Sequence, residues 1–230
     1  MANFSVILLT APPPGLASDI GGYLVKIDQR EILLRCVEMF LNRDNIKQVQ
    51  VVFAPEAMEE AKRKFYAYLS FTGVRMLSGG VTWMEQIVAA KEKISPDATH
   101  VVVHDAARPL VPYGDLDALL EAAEKHEAVV LASVLRNPLV EVDSGGVPVA
   151  MHPPSSFYGL LTPQAFAVAK YREMCAKKAE LHPSQLHIVK GSPLNVRIGP
   201  GDGSLAKALL NILPKAKAKP LTNPFEEAQW

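Results

Sequence analysis

The chain has 230 residues, which suits one large α/β domain or a domain with a small appendage. It carries 24 Lys plus Arg against 24 Asp plus Glu, so its composition indicates no general affinity for nucleic acid or for a membrane surface. No apolar run approaches the roughly 20 residues that cross a bilayer, and the opening stretch lacks the basic leader of a signal peptide, so we expect a cytoplasmic globular protein. Because Cys36 and Cys175 lie far apart in the sequence, we expect no structural disulfide.

Short apolar runs alternate with helix-spaced patterns along the chain as far as Leu135. The short runs indicate buried strands, and apolar residues at helical spacing indicate amphipathic helices. The predicted strands are Phe4–Leu9, Ile46–Phe53, Val74–Leu77, a central strand within Thr99–Pro109, and Ala128–Leu135. The predicted helices are Arg30–Leu41, Pro55–Leu69, Thr82–Ile94 and Asp115–His126. This alternation predicts a three-layer α/β fold with a doubly wound, mostly parallel sheet.

A β-hairpin is predicted where this alternation stops. Leu139–Val142 and Val147–Met151 are strand-like, and Asp143-Ser144-Gly145-Gly146 between them is typical of a turn. An isolated hairpin is marginally stable in water, so we expect this one to pack on something, such as a second subunit.

The remaining residues predict a mixed ending to a single domain. In order, the patterns indicate a helix at Pro163–Ala179, short strands at 186–190 and 194–198, and a helix at Ser204–Leu213. We therefore expect one domain over residues 1–213, with a hairpin arm at 137–154. Residues 214–230 mix prolines with charges, and we expect them to be mobile unless Phe225 and Trp230 dock on the domain.

The stretch Thr99–Pro109, THVVVHDAARP, contains the first candidate for a functional site. In open α/β sheets the ligand crevice lies just beyond the carboxyl ends of the strands, where Asp105 is expected. A carboxylate there suits a metal, and the guanidinium of Arg108 suits a phosphate or carboxylate. The alternative is that His104 and Asp105 only end the strand, with Arg108 as a local ion-pair partner.

Three features together resemble one enzyme family: the HDAARP segment, the hairpin, and LTPQAF at Leu161–Phe166. In order and spacing they are similar to 2-C-methyl-D-erythritol 4-phosphate cytidylyltransferases over Val6–Leu213. The resemblance implies a Rossmann-like, glycosyltransferase-A-like nucleotidyltransferase sheet with a projecting hairpin arm. It also implies transfer of CMP from CTP to a polyol phosphate, release of pyrophosphate, a requirement for Mg²⁺, and a homodimer whose arms exchange.

The resemblance also assigns roles to individual residues. Asp105 is implied as a catalytic residue and metal ligand, and Arg108 as a catalytic and substrate-binding residue. Thr162 and Arg197 are implied for substrate binding, Arg197 falling where the family has a lysine. The nucleotide side is implied at Gly79, Gly80, Trp83 and Gln86; of these, Trp83 falls at a family arginine and Gln86 at a family serine that helps hold the base. Trp83 is either a base-stacking residue or part of the core.

The chain departs from the family pattern in the loop after the first strand. Between Thr10 and Tyr23 there is no Lys or Arg, and three consecutive prolines remove backbone N–H groups that would otherwise contact phosphate. The family lysine falls at Gly22, and the nearby Lys26 is the candidate to replace it as a catalytic cation.

Positions of the family pattern in the second half of the chain are also changed. The threonine and arginine that the family contributes across the dimer fall near Pro138 and Pro154, and an acidic stretch is replaced by residues 180–185. His182 and His187 in this region are interpreted as surface or packing residues.

Three hypotheses about function follow. In the first, the chain is a divergent homologue, weakly active or inactive, that still binds a small phosphorylated ligand but binds CTP poorly. In the second, it is an active nucleotidyltransferase with another nucleotide or acceptor, in which Lys26 or a partner's residue supplies the missing charge. In the third, it is a non-catalytic dimeric binding or scaffold protein.

Overall fold

A mixed set of strands and helices makes up the computed structural model, which describes residues 2–16, 21–27, 29–41 and 43–212. The strands are β1 (Phe4–Leu9), β2 (Lys26–Ile27), β3 (Arg30–Glu31), β4 (Ile46–Phe53), β5 (Arg75–Ser78), β6 (His100–Asp105), β7 (Ala128–Val134), β8 (Leu139–Val142), β9 (Pro148–His152), β10 (Tyr158–Ala167) and β11 (His187–Lys190). The helices are α1 (Ile32–Leu41), α2 (Met58–Phe71), α3 (Trp83–Ala90), α4 (Tyr113–Ala123), α5 (Val168–Lys177) and α6 (Gly203–Leu210).

Seven strands form one twisted sheet in the order β11-β7-β10-β6-β1-β4-β5. Strand β1 is parallel to both of its neighbours, β4 and β6, and the pairs β4–β5 and β7–β11 are also parallel. Only β10 runs antiparallel to the strands beside it. The expectation of a mostly parallel sheet is confirmed, and it places the carboxyl ends of β1, β4 and β6 on one edge.

The central strands are buried because helices cover both faces of the sheet. Side chains of a strand point alternately to opposite faces. Accordingly, Val6 and Leu8 pack in one core with α1, α2 and α4, whereas Ile7 and Leu9 pack in a second core with α3 and α5. This confirms the three-layer α/β architecture and explains why β1 and β6 are apolar runs rather than alternating patterns.

Two of the predicted elements are wrong. The helix predicted over Pro163–Ala179 begins only at Val168, because Gln164–Ala167 pair antiparallel with residues 100–103 in β6 as part of β10. The strand predicted at 194–198 is irregular backbone instead. Both errors have the same cause: hydrogen-bond partners distant in sequence decide the structure there, and local periodicity carries no sign of them.

The hairpin arm is present and forms a separate two-stranded sheet of β8 and β9. Val140, Val142, Val149 and Met151 lie on one face of it with 52–74% of their surface exposed.

None of the helices in the described ranges is long and apolar enough to span a membrane. The tail predicted to be mobile, 214–230, lies outside the described residues.

Candidate functional site

Asp105 is the last residue of β6 and is only 1% exposed. Its Oδ1 accepts a hydrogen bond from the backbone N–H of Ala107 at 2.9 Å. Its Oδ2 accepts from Nε of Arg197 at 2.8 Å and lies 3.7 Å from Nε of Arg108. Burial raises the pKa of the Asp105 carboxyl above its ordinary value, and the two guanidinium groups and the Ala107 N–H oppose that effect. The carboxylate is thus enclosed by partners from its own loop and from a distant segment.

A hydrogen-bonded chain through His104 fixes the strand beside it. Nε2 of His104 lies 3.0 Å from the carbonyl oxygen of Arg108, which can only accept, so Nε2 carries the proton. Nδ1 then accepts from the hydroxyl of Thr162 at 3.1 Å, and that hydroxyl accepts from the N–H of Asp105 at 3.1 Å. Because its one hydrogen is used, the Thr162 hydroxyl has none left to donate to a ligand.

The segment around Asn195 closes over the same region. Its backbone carbonyl accepts from Nη1 of Arg108 at 2.7 Å, and its Nδ2 donates to the carbonyl of Thr162 at 2.7 Å. The N–H of Ile198 donates to the carbonyl of Ala107 at 2.9 Å. These bonds tie β6, β10 and the 195–198 segment into one rigid unit.

The described residues offer a resident Mg²⁺ few ligands at Asp105. Magnesium is held by carboxylate oxygens and water in near-octahedral geometry. Here both carboxylate oxygens already accept hydrogen bonds, one of them from the cationic Arg197. No cluster of three or more His, Cys, Asp or Glu residues in the described ranges is arranged to hold a metal. The role of Asp105 as a metal ligand stays a prediction.

In the first part of the loop after β1, Thr10–Leu16, the backbone N–H groups are almost all used within the protein. Of the residues Thr10–Leu16, three are prolines without an N–H. The N–H groups of Thr10 and Ala11 both donate to Oε1 of Gln86 at 3.0 Å. The N–H of Leu16 donates to the carbonyl of the second proline. In this stretch only Gly15 keeps an N–H that no described group accepts.

The two places where the family pattern suggested a cation do not supply one near Asp105. A Cβ atom at Gly22 would lie 2.0 Å from the carbonyl oxygen of Ile198, so no longer side chain fits there without moving the backbone. Lys26 lies on the short β2, has 61% of its side chain exposed, and pairs with Glu31 at 3.4 Å. The structure therefore does not bring Lys26 together with the Asp105 cluster.

The second glycine loop is closely packed rather than open. A Cβ atom at Gly79 would lie 2.5 Å from Val52, and one at Gly80 would lie 2.3–2.7 Å from the side chain of Glu85, which caps α3. Gln86 is fully buried, and its Nε2 donates to the carbonyl of Gly80 at 3.1 Å. Gly79, Gly80 and Gln86, which were predicted to bind nucleotide, thus form internal contacts. Close packing alone therefore accounts for the two glycines, and no ligand is needed to explain them.

A cavity of about 200 Å³ lies between the proline loop and β10. Arg108 is the only Lys or Arg of the described residues among those lining it, and Trp83 forms part of its apolar wall. The other lining residues are Pro13, Pro14, Leu16, Leu160, Leu161, Thr162, Gln164 and Glu180. This volume is below the 300–1,000 Å³ typical of pockets for drug-sized ligands.

The structure thus groups four of the predicted site residues in one cluster, and it places Trp83 on the cavity that Arg108 and Thr162 also line. Asp105, Arg108, Thr162 and Arg197 form the polar cluster at the end of β6. Asp105 ends β6 and lies 3.7 Å from Nε of Arg108, which both the functional and the purely structural interpretation predict, so both stay predictions. Sequence reasoning missed Asn195, whose only signal was its place beside Arg197.

Comparison with known proteins finds one consistent family. Residues 15–211 match the family model "IspD: 2-C-methyl-D-erythritol 4-phosphate cytidylyltransferase". The protein of that name from Rhodopirellula baltica is 29% identical over 239 residues, which cover 91% of this chain and 96% of that protein. The solved structure from Thermus thermophilus superposes with a TM-score of 0.71 at 24% identity, covering 92% of this chain and 100% of that chain. A synthase structure from Anaerococcus prevotii gives 0.73 at 18% identity, covering 91% and 96%, so the fold is shared.

His104 predicts a specific loss of stability in acid. Burial lowers the pKa of its imidazole from 6.5 to about 3, so between these pH values the unfolded chain binds a proton that the folded chain does not. The variant His104→Gln keeps a donor for the Arg108 carbonyl but does not titrate. When the pH is lowered from 7 to 5, the free energy of unfolding of the wild type should therefore fall by about 2 kcal/mol more than that of the variant. Urea unfolding of both proteins at the two pH values measures this, and equal pH dependence would contradict a neutral, buried His104.

Proposed function

Because this chain belongs to the 2-C-methyl-D-erythritol 4-phosphate cytidylyltransferase family, we propose that it is a divergent member with weak or no nucleotidyl transfer. In this proposal it retains the fold and a small anion-binding site, but holds a nucleoside triphosphate poorly. Its buried, unpaired cysteines, Cys36 and Cys175, fit a reducing compartment, and we place it in the cytoplasm on that basis.

The loop after β1 carries this proposal. A triphosphate is held by backbone N–H groups and cations, because both compensate its negative charge. In Thr10–Leu16 the prolines have no N–H, and Gln86 accepts the two that precede them. The sequence offers no Lys or Arg up to Tyr23, and Gly22 has no room for one. Among the residues of this loop that the structure describes, few groups therefore remain to bind a triphosphate.

The chemistry of the transfer makes these losses costly. An acceptor phosphate oxygen attacks the α-phosphorus of the nucleotide and expels pyrophosphate, so two anions must approach each other. Catalysis then depends on positioning and on charge neutralisation. Loss of a single stabilising cation in phosphoryl transfer reduces the rate by roughly 10³ to 10⁵. We therefore expect very low activity.

The retained cluster supports binding of a smaller anion. Arg108 lines the cavity, and its side chain is held in place by Asn195 and Asp105. A guanidinium fixed in this way loses little freedom when it binds a phosphate. Arg197 and Thr162 act in this proposal by positioning Asp105, which in turn orients Arg108.

The alternative is an active nucleotidyltransferase with a different nucleotide or acceptor. The retention of Asp105, Arg108 and Arg197 in one cluster favours it. To supply the missing positive charge, Lys26 would have to leave Glu31, or a residue from a second subunit would have to reach the cavity. The calorimetric experiment below tests this alternative together with the main proposal.

Titration calorimetry with CTP and Mg²⁺ tests the first half of the proposal. We expect no saturable binding at millimolar CTP, because the loop after β1 has no Lys or Arg and because most N–H groups of its residues Thr10–Leu16 are absent or already used. Pyrophosphate release from CTP and 2-C-methyl-D-erythritol 4-phosphate should be at least about 10³-fold slower than that of the Rhodopirellula baltica relative assayed beside it. Tight Mg²⁺-dependent CTP binding, with release that Asp105→Asn abolishes, would instead establish the active alternative.

Thermal shifts with small phosphate esters test the second half. We expect 2-C-methyl-D-erythritol 4-phosphate to raise the melting temperature in EDTA as well as in Mg²⁺, because Arg108 rather than a metal contacts the phosphate. Arg108→Gln should remove the shift. Arg172→Gln removes the same charge from an exposed position on α5 and should leave the shift unchanged. A shift that strictly requires Mg²⁺, or that survives Arg108→Gln, would refute metal-free binding.

We further propose that the hairpin arm packs against a second copy of the chain. Its exposed face, Val140, Val142, Val149 and Met151, is apolar. The opposite face carries the ion pair between Glu141 and His152 at 2.9 Å. A two-stranded hairpin with one bare apolar face gains stability when that face is covered.

Sedimentation velocity tests this assembly. The wild type should be a dimer, and Met151→Lys should shift it to a monomer, because the lysine would place a charge in the covered face. Ala150→Lys is the matched control, since residue 150 pairs with Glu141 on the other face. A monomeric wild type, or equal effects of both substitutions, would show that this face is not the interface.

A further inference from the structure

Gln86 makes an unusual set of contacts for a buried glutamine. Its Oε1 accepts from the N–H groups of Thr10 and Ala11, both at 3.0 Å. Its Nε2 donates to the carbonyl of Gly80 at 3.1 Å and approaches the hydroxyl of Thr10 at 3.4 Å. The hydrogen-bonding capacity of one carboxamide is therefore met by backbone and side-chain groups of two loops.

These partners would form a binding site if the side chain were absent. Two N–H donors from the loop after β1 and one carbonyl acceptor from the loop after β5 converge on a single planar group. Such a set complements a ligand edge that carries an acceptor oxygen or nitrogen next to an amino group. An inorganic phosphate would leave the Gly80 carbonyl without a donor.

The position of Gln86 links this set to the cavity. Trp83, which lines the cavity, lies one turn earlier on α3, and Pro13, also in the lining, lies two residues after Ala11. The N–H of Thr10 also lies 3.3 Å from the carbonyl oxygen of Val52 and would keep that partner. Removing the Gln86 side chain would therefore leave the N–H of Ala11 and the carbonyl of Gly80 without their partner, close to the space where a ligand is expected.

We infer that Gln86 acts as an internal ligand, which fills a site for an amide-like edge and so excludes external ligands from the loop after β1. In this role it is a specificity-determining residue rather than a catalytic one. The inference rests on the proposed function, because it explains part of the weak nucleotide binding expected there. It adds that the two N–H groups are present and correctly placed, but occupied.

Chemical rescue of Gln86→Ala tests this directly. The substitution removes a group equivalent to acetamide, so acetamide should raise the melting temperature of Gln86→Ala in a saturable way and leave the wild type unchanged. Acetate, which lacks the donor for Gly80, should rescue less. Leu119→Ala, which opens an apolar space on α4, is the control and should not respond to acetamide. A folded Gln86→Ala variant that acetamide does not stabilise would refute the internal site.

A second measurement separates exclusion from a purely structural role. CTP should bind Gln86→Ala at least tenfold more tightly than the wild type, because the acceptor atoms of the base can reach the two N–H groups. Gln86→Glu keeps an acceptor oxygen at this place and should bind as weakly as the wild type. Gln86→Ser replaces the alanine variant in both experiments if the latter does not fold. Equal CTP affinities of all variants would overturn the exclusion, whereas tight CTP binding by the wild type would overturn the proposed function itself.

Discussion

The buried pairing of Asp105 with Arg197 is the interaction on which the site's geometry depends. It joins the carboxyl end of the central strand to a segment 92 residues later in the chain. Removing one partner of a buried ion pair costs about 3–5 kcal/mol, because the other charge stays in a poorly solvated place. The pairing therefore holds the 195–198 segment against β6, and through it fixes Arg108 and the carbonyl of Ile198.

The same pairing limits what Asp105 can do chemically. A carboxylate that is enclosed by a guanidinium and a backbone N–H has little capacity left for a divalent cation. In the described residues Thr10–Leu16 of the loop after β1, three prolines lack an amide N–H, and the N–H groups of Thr10 and Ala11 donate to Gln86. The carboxylate, guanidinium and N–H groups that could bind a polyanionic ligand or its metal are the same groups that stabilise this edge of the sheet. In the described residues most of them are bonded to one another.

The fold could largely be predicted from the sequence, whereas the contacts of the site could not. The apolar runs of β1 and β6 specify buried parallel strands because no other structure covers both faces of such a run. The prediction of a helix from Pro163 is wrong because the pairing of Gln164–Ala167 with β6 is not visible in local spacing. Family resemblance implied substrate binding by Arg197 but not its bond to Asp105, and neither pattern nor resemblance indicated that Gln86 accepts from Thr10 and Ala11. Such contacts depend on which donors the folded chain brings together.

The packing at Gly22 and the ion pair at the end of β6 are mechanically linked. A lysine at Gly22 would need the backbone of Ile198 to move, because its Cβ would lie 2.0 Å from that carbonyl oxygen. Ile198 is held by Ala107, and the neighbouring Arg197 by Asp105. Moving the segment would therefore disturb the ion pair at the end of β6. The closed position of Gly22 and the enclosed carboxylate of Asp105 therefore follow from one packing arrangement of the 195–198 segment against the end of β6.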